Sequence, residues 1–227
     1  MDEVGGRRYL SAPVATPEDI HRVQESLISG WVAPSGPELS AFESQISLYV
    51  GMSEAVGLSS GTAALHLALK YLGVGPGDHV LVPTLTFGAT AFAVTYLGAE
   101  PVFVDVDDSW NMDPDQTRLA LETLNGDGIR VGATLPVDLY GSPANYRALM
   151  PLFSEFGVSV FEDAAEGLGG DFDGKKLGGF GVGGALSFNG NKILTTSGGG
   201  MLLTNDGEFA SKVRFWATQS REDFPWY

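Results

Sequence analysis

The chain has 227 residues, 44% of them hydrophobic, with 13 basic residues against 28 acidic ones and a formal charge of −15. That balance repels phosphodiester backbones and anionic lipid headgroups, so neither nucleic acid nor a membrane is an expected partner. Cysteine is absent, which removes disulfides, thiolate zinc sites and cysteine nucleophiles from consideration and suits a cytoplasmic protein.

The opening "MDEVGGRRYL" is acidic at its start and lacks an apolar signal core, so a secretion signal is not expected. Thr16, Pro17 and Asp19 have the pattern of a cap, first turn and acidic start of a helix running to about Gly30. "GWVAPSGP" breaks the chain, and the spacing of Leu39, Phe42, Ile46 and Tyr49 predicts a second helix that stops at Gly51. Short apolar runs then alternate with helical segments: "AVGL", "HVLVP", "PVFVDV", "VGATLPVDLYG", "VSVFED" and "ALSF", with helices opening after Ser60, near Gly88, at Asp113 and Pro114, and after Pro143. Alternation of this kind predicts one α/β domain with a mostly parallel sheet covered on both faces. Val80 to Ala99 is uncharged and long enough to span a bilayer, but Pro83, four threonines and two glycines fit a buried strand, a turn and a buried helix better. "DVDDSWNMDPD" lacks the glycine and glutamate of a calcium loop and reads as a solvated turn with a helix cap. His21, His66 and His79 have no paired ligand spacing, and His66 falls on an apolar helical pattern where a hydrogen-bonded structural role is expected.

In a parallel α/β sheet the ligand sits at the carboxyl ends of the strands, so the loops after strands carry the chemistry. In "SSGTAAL", Ser59, Ser60, Gly61 and Thr62 join a strand to a helix start, which is either a phosphate cradle or an ordinary cap. In "FEDAAEGLG", Glu162 and Asp163 end a strand, where a buried carboxylate needs a cation or several donors. Asp163 serves either a protonated heteroaromatic nitrogen or a helix cap. The glycine-rich "GLGGDFDGKKLGGFGVGG" is expected to be a mobile or tightly turned loop. Its formal GxGxxG, at Gly179, Gly181 and Gly184, precedes a strand and so lacks the context of a dinucleotide site. In "SFNGNKILTTSGGG", Lys192 follows an apolar run and is either a solvated lysine or one that forms a Schiff base.

The order "SGTAAL", "EDAAE", then "SFNGNKILTTSGGGMLLTND" resembles the DegT/DnrJ/EryC1/StrS family of sugar aminotransferases, over nearly the whole chain from "LSAPVATPEDI" to "RFWATQ". The resemblance implies the type I fold of pyridoxal phosphate enzymes, with a mostly parallel seven-stranded sheet flanked by helices. By that likeness, Lys192 matches the lysine that holds pyridoxal phosphate, and Asp163 the acid that keeps the pyridine nitrogen protonated. Gly61, Thr62 and Ser187 match phosphate-binding positions, Phe87 the aromatic ring against the cofactor, and Glu166 a cofactor-facing position that varies among members.

The implied reaction moves an amino group from glutamate to a nucleotide-linked keto-sugar within a cytoplasmic homodimer. Related sugar dehydratases keep a histidine in place of the lysine, so Lys192 favours amino transfer. "GWVAPSGP" and "NGNKILTTSGGG" look like the subgroup acting at C4 of UDP-linked 4-keto-6-deoxy-N-acetylhexoses. Residues 1–227 correspond to the N-terminal segment and the large cofactor-binding domain. Members continue into a small C-terminal domain with a "GYNYRM"-like segment that this chain lacks, so it is expected to be a fragment or a shortened product. The alternative to an enzyme is a non-catalytic remnant that binds pyridoxal phosphate or a partner.

Overall fold

A computed structural model describes residues 14–33 and 35–222. The opening decapeptide, Pro34 of "GWVAPSGP" and the last five residues lie outside the described residues. Helix α1 (Pro17–Ile28) starts on a reciprocal cap, Thr16 Oγ1 accepting from the Asp19 N–H at 3.2 Å and Asp19 Oδ2 accepting from the Thr16 N–H at 2.7 Å. It ends two residues before Gly30. Helix α2 (Pro37–Val50) stops at Gly51, whose φ of 82° is left-handed and favours glycine. From its buried face Glu43 accepts the Gly57 N–H at 2.7 Å and both an ion pair and hydrogen bonds from Arg214, at 2.9 and 3.0 Å. One carboxylate thereby ties α2 to the sheet and to the last helix.

Seven strands form the central layer: β1 (Glu54–Leu58), β2 (His79–Pro83), β3 (Glu100–Val104), β4 (Val131–Thr134), β5 (Phe161–Asp163), β8 (Gly183–Ser187) and β9 (Gly200–Thr204). Continuous pairing gives β3-β2-β4 on one side and β5-β8-β9-β1 on the other. The halves meet through parallel bridges Thr134 to Val160 and Val137 to Asp163. Hydrogen bonds from Thr134 N–H to Ser159 O and from Asp163 N–H to Pro136 O, both 2.9 Å, close that seam. All strands run parallel except β9, which is antiparallel to both neighbours. The expected mostly parallel seven-stranded sheet is therefore present.

Side chains alternate across the pleat, so each strand feeds two cores. Leu81, Leu186 and Leu203 face α2, α5 (Pro114–Gly126) and α6 (Tyr146–Glu155), with Ile46, Leu121 and Phe153. Val80, Val82, Ala185 and Leu202 face α3 (Gly61–Tyr71), α4 (Ala89–Thr95) and α7 (Gly207–Ala217), with Leu65, Val94 and Phe209. Within the uncharged run, Val80 to Val82 are buried as expected, but Phe92 and Tyr96 on α4 are exposed. Among the described residues no helix is long and apolar enough to cross a membrane. His66 is half-buried with its ring 5.9 Å from that of Tyr96.

The glycine-rich segment holds a two-stranded hairpin, β6 (Asp171–Phe172) with β7 (Lys175–Lys176), turning through Asp173 and Gly174 at φ 53° and 79°. Strands of two residues leave no periodicity, and only the paired left-handed turn would have betrayed them. Downstream, Gly178 and Phe180 donate their backbone N–H groups to Glu162, which fixes this segment against the end of β5.

Candidate active site

Three strand ends and one helix start converge on a cavity of about 350 Å³. Its wall includes all seven residues that the resemblance assigns to the site, Gly61, Thr62, Phe87, Asp163, Glu166, Ser187 and Lys192, together with Ser59 and Ser60, whereas Glu162 lies outside it. Their convergence follows from topology, since β1, β5 and β8 are parallel and present their carboxyl ends on one edge of the sheet.

The floor beside β1 is the first turn of α3. Ser60 caps it, its hydroxyl accepting the Ala63 N–H at 3.1 Å, and Gly61 and Thr62 follow at the cavity wall. A Cβ added at Gly61 would stand 3.3 Å from Ser187 Cβ, so glycine lets the helix start approach the end of β8. Gly200 is more constrained. Its added Cβ would fall 2.2 Å from Ser60 C and 2.4 Å from Gly61 N, backbone atoms that cannot give way. The glycine run after Lys192 therefore lets β9 pass directly beneath the start of α3.

Between β8 and β9 the chain makes a closed loop. Phe188 donates its N–H to Gly199 O at 2.9 Å, and its own carbonyl accepts the Thr196 N–H and the Thr195 hydroxyl, both at 3.0 Å. Ser197 within it has a left-handed φ of 72°. Lys192 projects from this loop, and its side chain is only 15% exposed. Its Nζ donates to Glu166 Oε1 at 3.0 Å, while Glu166 Oε2 accepts the Tyr140 N–H at 2.8 Å. Tyr140 is itself held left-handed, at φ 54° and ψ 24°. Glu166 thus bridges the lysine loop to the turn after β4.

Asp163 is 4% exposed, and no helix follows it, which excludes the capping role. Its Oδ1 accepts the Ala165 N–H at 3.2 Å and its Oδ2 the Thr90 hydroxyl at 2.6 Å. Burial pushes this carboxyl above the usual aspartate range, against the Thr90 hydroxyl, the Ala165 N–H and the Lys192 charge, which favour the anion. Thr90 Oγ1 lies 2.7 Å from Thr86 Oγ1, so a threonine in the first turn of α4 and another in the bend before it back the carboxylate. Phe87 sits between them in sequence, lines the cavity and is 79% exposed.

The profile of the DegT/DnrJ/EryC1/StrS aminotransferase family matches residues 13–225. This chain belongs to that family. Among its curated relatives, EpsN of Bacillus subtilis is 46% identical over 94% of this chain, and GDP-perosamine synthase of Caulobacter vibrioides is 38% identical over 92%. Each match covers 55% of the relative, so the chain spans about half the length of the curated relatives it matches. A solved DegT DnrJ EryC1 StrS aminotransferase from Brucella abortus superposes with a TM-score of 0.87 at 36% identity, covering 92% of this chain and 56% of that one. The likeness read from three motifs thus extends over the whole described α/β layer.

Several residues of the site escaped the sequence reading. Thr86 and Thr90 lie in "PTLTFGAT", where only Phe87 was singled out, and Thr86 precedes α4, so no helical spacing marked the pair. Asn189 and Asn191 line the cavity beside Lys192, with Asn189 Nδ2 donating to Asn191 Oδ1 at 3.0 Å. Asp138, behind the site, gave no local signal.

Proposed function

We propose that this chain builds the cofactor site of a pyridoxal phosphate-dependent aminotransferase that moves an amino group from glutamate to a nucleotide-linked keto-sugar. The observation that carries the reading is a half-buried lysine sharing one cavity with a buried, hydroxyl-backed aspartate and a serine-capped helix start. The donor set fits the group. Pyridoxal phosphate needs an amine for its aldehyde, an anion for its ring nitrogen and a cradle for its phosphate, and the cavity falls in the usual range of about 300–1,000 Å³ for small-molecule sites.

When bound, pyridoxal phosphate supplies an electron sink that makes the Cα–H bond of an amino donor acidic. Lys192 Nζ is the amine positioned to join the aldehyde and, once released, to carry the proton to and from the donor's Cα. The Asp163 carboxylate would keep a proton on the ring nitrogen, and Thr90 orients that carboxylate through the 2.6 Å hydrogen bond. Gly61, Thr62 and Ser187 would hold the phosphate, aided by the positive end of the α3 dipole. Phe87 would supply an aromatic wall for the ring, and Glu166 holds the Lys192 ammonium at 3.0 Å.

For the acceptor we propose the C4 carbonyl of a UDP-linked 4-keto-6-deoxy-N-acetylhexose, on the likeness of "GWVAPSGP" and "NGNKILTTSGGG" to that subgroup. The GDP-linked name of one relative sets the alternative acceptor to be compared. The same proposal takes the protein to be a cytoplasmic homodimer, with residues 1–227 as its N-terminal segment and large domain. Exposed Leu85, Phe87, Phe92 and Tyr96 supply apolar surface suited to a subunit contact.

Incubating the chain with pyridoxal phosphate, glutamate and a panel of nucleotide-linked keto-sugars tests this, with products read by mass spectrometry. The expected result is an amino-sugar formed in step with 2-oxoglutarate. Cofactor capture without turnover would favour the non-catalytic remnant, and no capture would overturn the reading.

A further inference from the structure

Behind Asp163, away from the cavity, two more carboxyl groups meet. Asp138 follows β4 and Glu162 immediately precedes Asp163 in β5, and both are fully buried. Glu162 accepts the Gly178 N–H on Oε1 and the Phe180 N–H on Oε2, at 2.5 and 2.6 Å. Asp138 Oδ1 accepts the Ala144 N–H at 3.0 Å and the Tyr146 hydroxyl at 2.9 Å. Asp138 Oδ2 is buried with no N–H or O–H donor of another described residue in reach, and the Glu162 carboxyl lies in hydrogen-bonding range of Asp138.

Two anions in contact inside a core repel strongly, whereas an acid and a carboxylate form a short, strong hydrogen bond. Among the described residues, Tyr146 from α6 and Asp163 from β5 also act on the pair, and neither supplies positive charge. Burial drives both carboxyls up, Asp138 to about 6 and Glu162 well above its ordinary value.

The pair also sits at the seam of the sheet. Asp138 donates its backbone N–H to Asp163 O at 3.1 Å, and Asp163 donates its own to Pro136 O at 2.9 Å. The backbone that carries Asp163 is therefore clamped from one side by Asp138 and from the other by the turn that Glu162 holds.

We infer that Asp138 and Glu162 share a single proton and act together as positioning residues, fixing the strand end that presents Asp163 to the cofactor. The inference rests on the proposed function only in giving Asp163 its task; the shared proton is readable without cofactor. Glu162 uses both oxygens as acceptors for backbone N–H groups, so an amide there would set N–H against N–H. Asp138 has a free oxygen, so an amide there replaces the shared proton with a permanent donor to Glu162.

Infrared difference spectroscopy of the chain across a pH titration reads the carbonyl stretch of a protonated carboxylic acid, with Asp138→Asn and Glu162→Gln as the compared variants. The expected result is one buried acid band at neutral pH in the parent chain and loss of that band in Asp138→Asn, which keeps its fold. Glu162→Gln is expected to lower the melting temperature more than Asp138→Asn does. A second readout, the affinity for pyridoxal phosphate, should fall at least tenfold more in Glu162→Gln than in Asp138→Asn. Absence of an acid band in the parent chain, or persistence of the band in Asp138→Asn, would overturn the shared proton. Equal cofactor affinity in both folded variants would overturn the positioning role. If Glu162→Gln does not fold, the parent and Asp138→Asn spectra decide the shared proton, and Asp138→Ala, which removes the donor, should fall tenfold in affinity where Asp138→Asn does not; no difference between those two would overturn the positioning role.

Discussion

Asp163 has the most demanding environment of any residue in the site. Its carboxylate is buried, which favours the neutral acid, yet the proposed task needs the anion. The Thr90 hydroxyl, the Ala165 N–H and the Lys192 charge supply the opposing stabilisation, and a protonated ring nitrogen would add the largest share. Replacing Asp163 by Asn removes a charge-assisted hydrogen bond worth about 1.5–3 kcal/mol. Affinity for pyridoxal phosphate should therefore fall roughly ten- to a hundredfold, and a spectrophotometric titration measures it; unchanged affinity would detach Asp163 from the cofactor. At this scale the sequence was informative where the residue type is rare. Lys192 stood out among Ser, Asn, Thr and Gly, and Asp163 ended an apolar run. Thr90 and Asp138 did not stand out, because a threonine in a helix and an aspartate after a strand are ordinary until their partners, 73 and 24 positions away in the chain, are known.

Among the elements, the junction of β9 with α3 sets the shape of the phosphate end of the cavity. Gly200 lies against Ser60 and Gly61 so closely that a methyl group has no room. Gly200→Ala should cost about 1–3 kcal/mol through backbone displacement and should also weaken phosphate binding, because the displaced atoms belong to the cradle. Chemical denaturation and inorganic phosphate titration check the two effects separately. The alternation of apolar runs and helices was readable where a capped helix follows a strand, as at Ser60 after β1 and Asp113 after β3. The hairpin at 171–176 was not, since its pairs are too short for a period and its role is to bring Gly178 and Phe180 to Glu162. The antiparallel course of β9 was equally hidden, because direction depends on how the lysine loop closes through Phe188 and Gly199.

On the scale of the whole molecule, charge and burial work against each other. The formal charge of −15 counts every carboxyl as ionised, yet three of them, Asp138, Glu162 and Asp163, are buried at one seam of the sheet. For Asp138 the folded value is about 6, against an ordinary 3.8. Below that folded value the pair takes up a second proton beside the one it shares at neutral pH, and it holds this second proton to higher pH than the unfolded chain does, so raising the pH across that interval draws the equilibrium towards unfolding. This contribution is fully present below about 3.8 and is lost as pH rises through about 6. Urea denaturation at stepped pH should show it as a decline in stability between those values that is absent in Asp138→Asn; identical pH profiles would remove the buried acid from the account. The cluster was invisible in composition, which counts 28 acidic residues without telling which are inside. Only the seam between β4 and β5 brings Asp138 to Glu162.

The most direct test of the central claim is borohydride trapping of the chain with pyridoxal phosphate, followed by peptide mass spectrometry, alongside Lys192→Ala. The predicted result is a reduced phosphopyridoxyl adduct on Lys192 in the parent chain and none at that position in the variant, whose melting temperature stays close to the parent's. Trapping on other lysines with Lys192 unmodified would contradict the assignment of this cavity as the cofactor site.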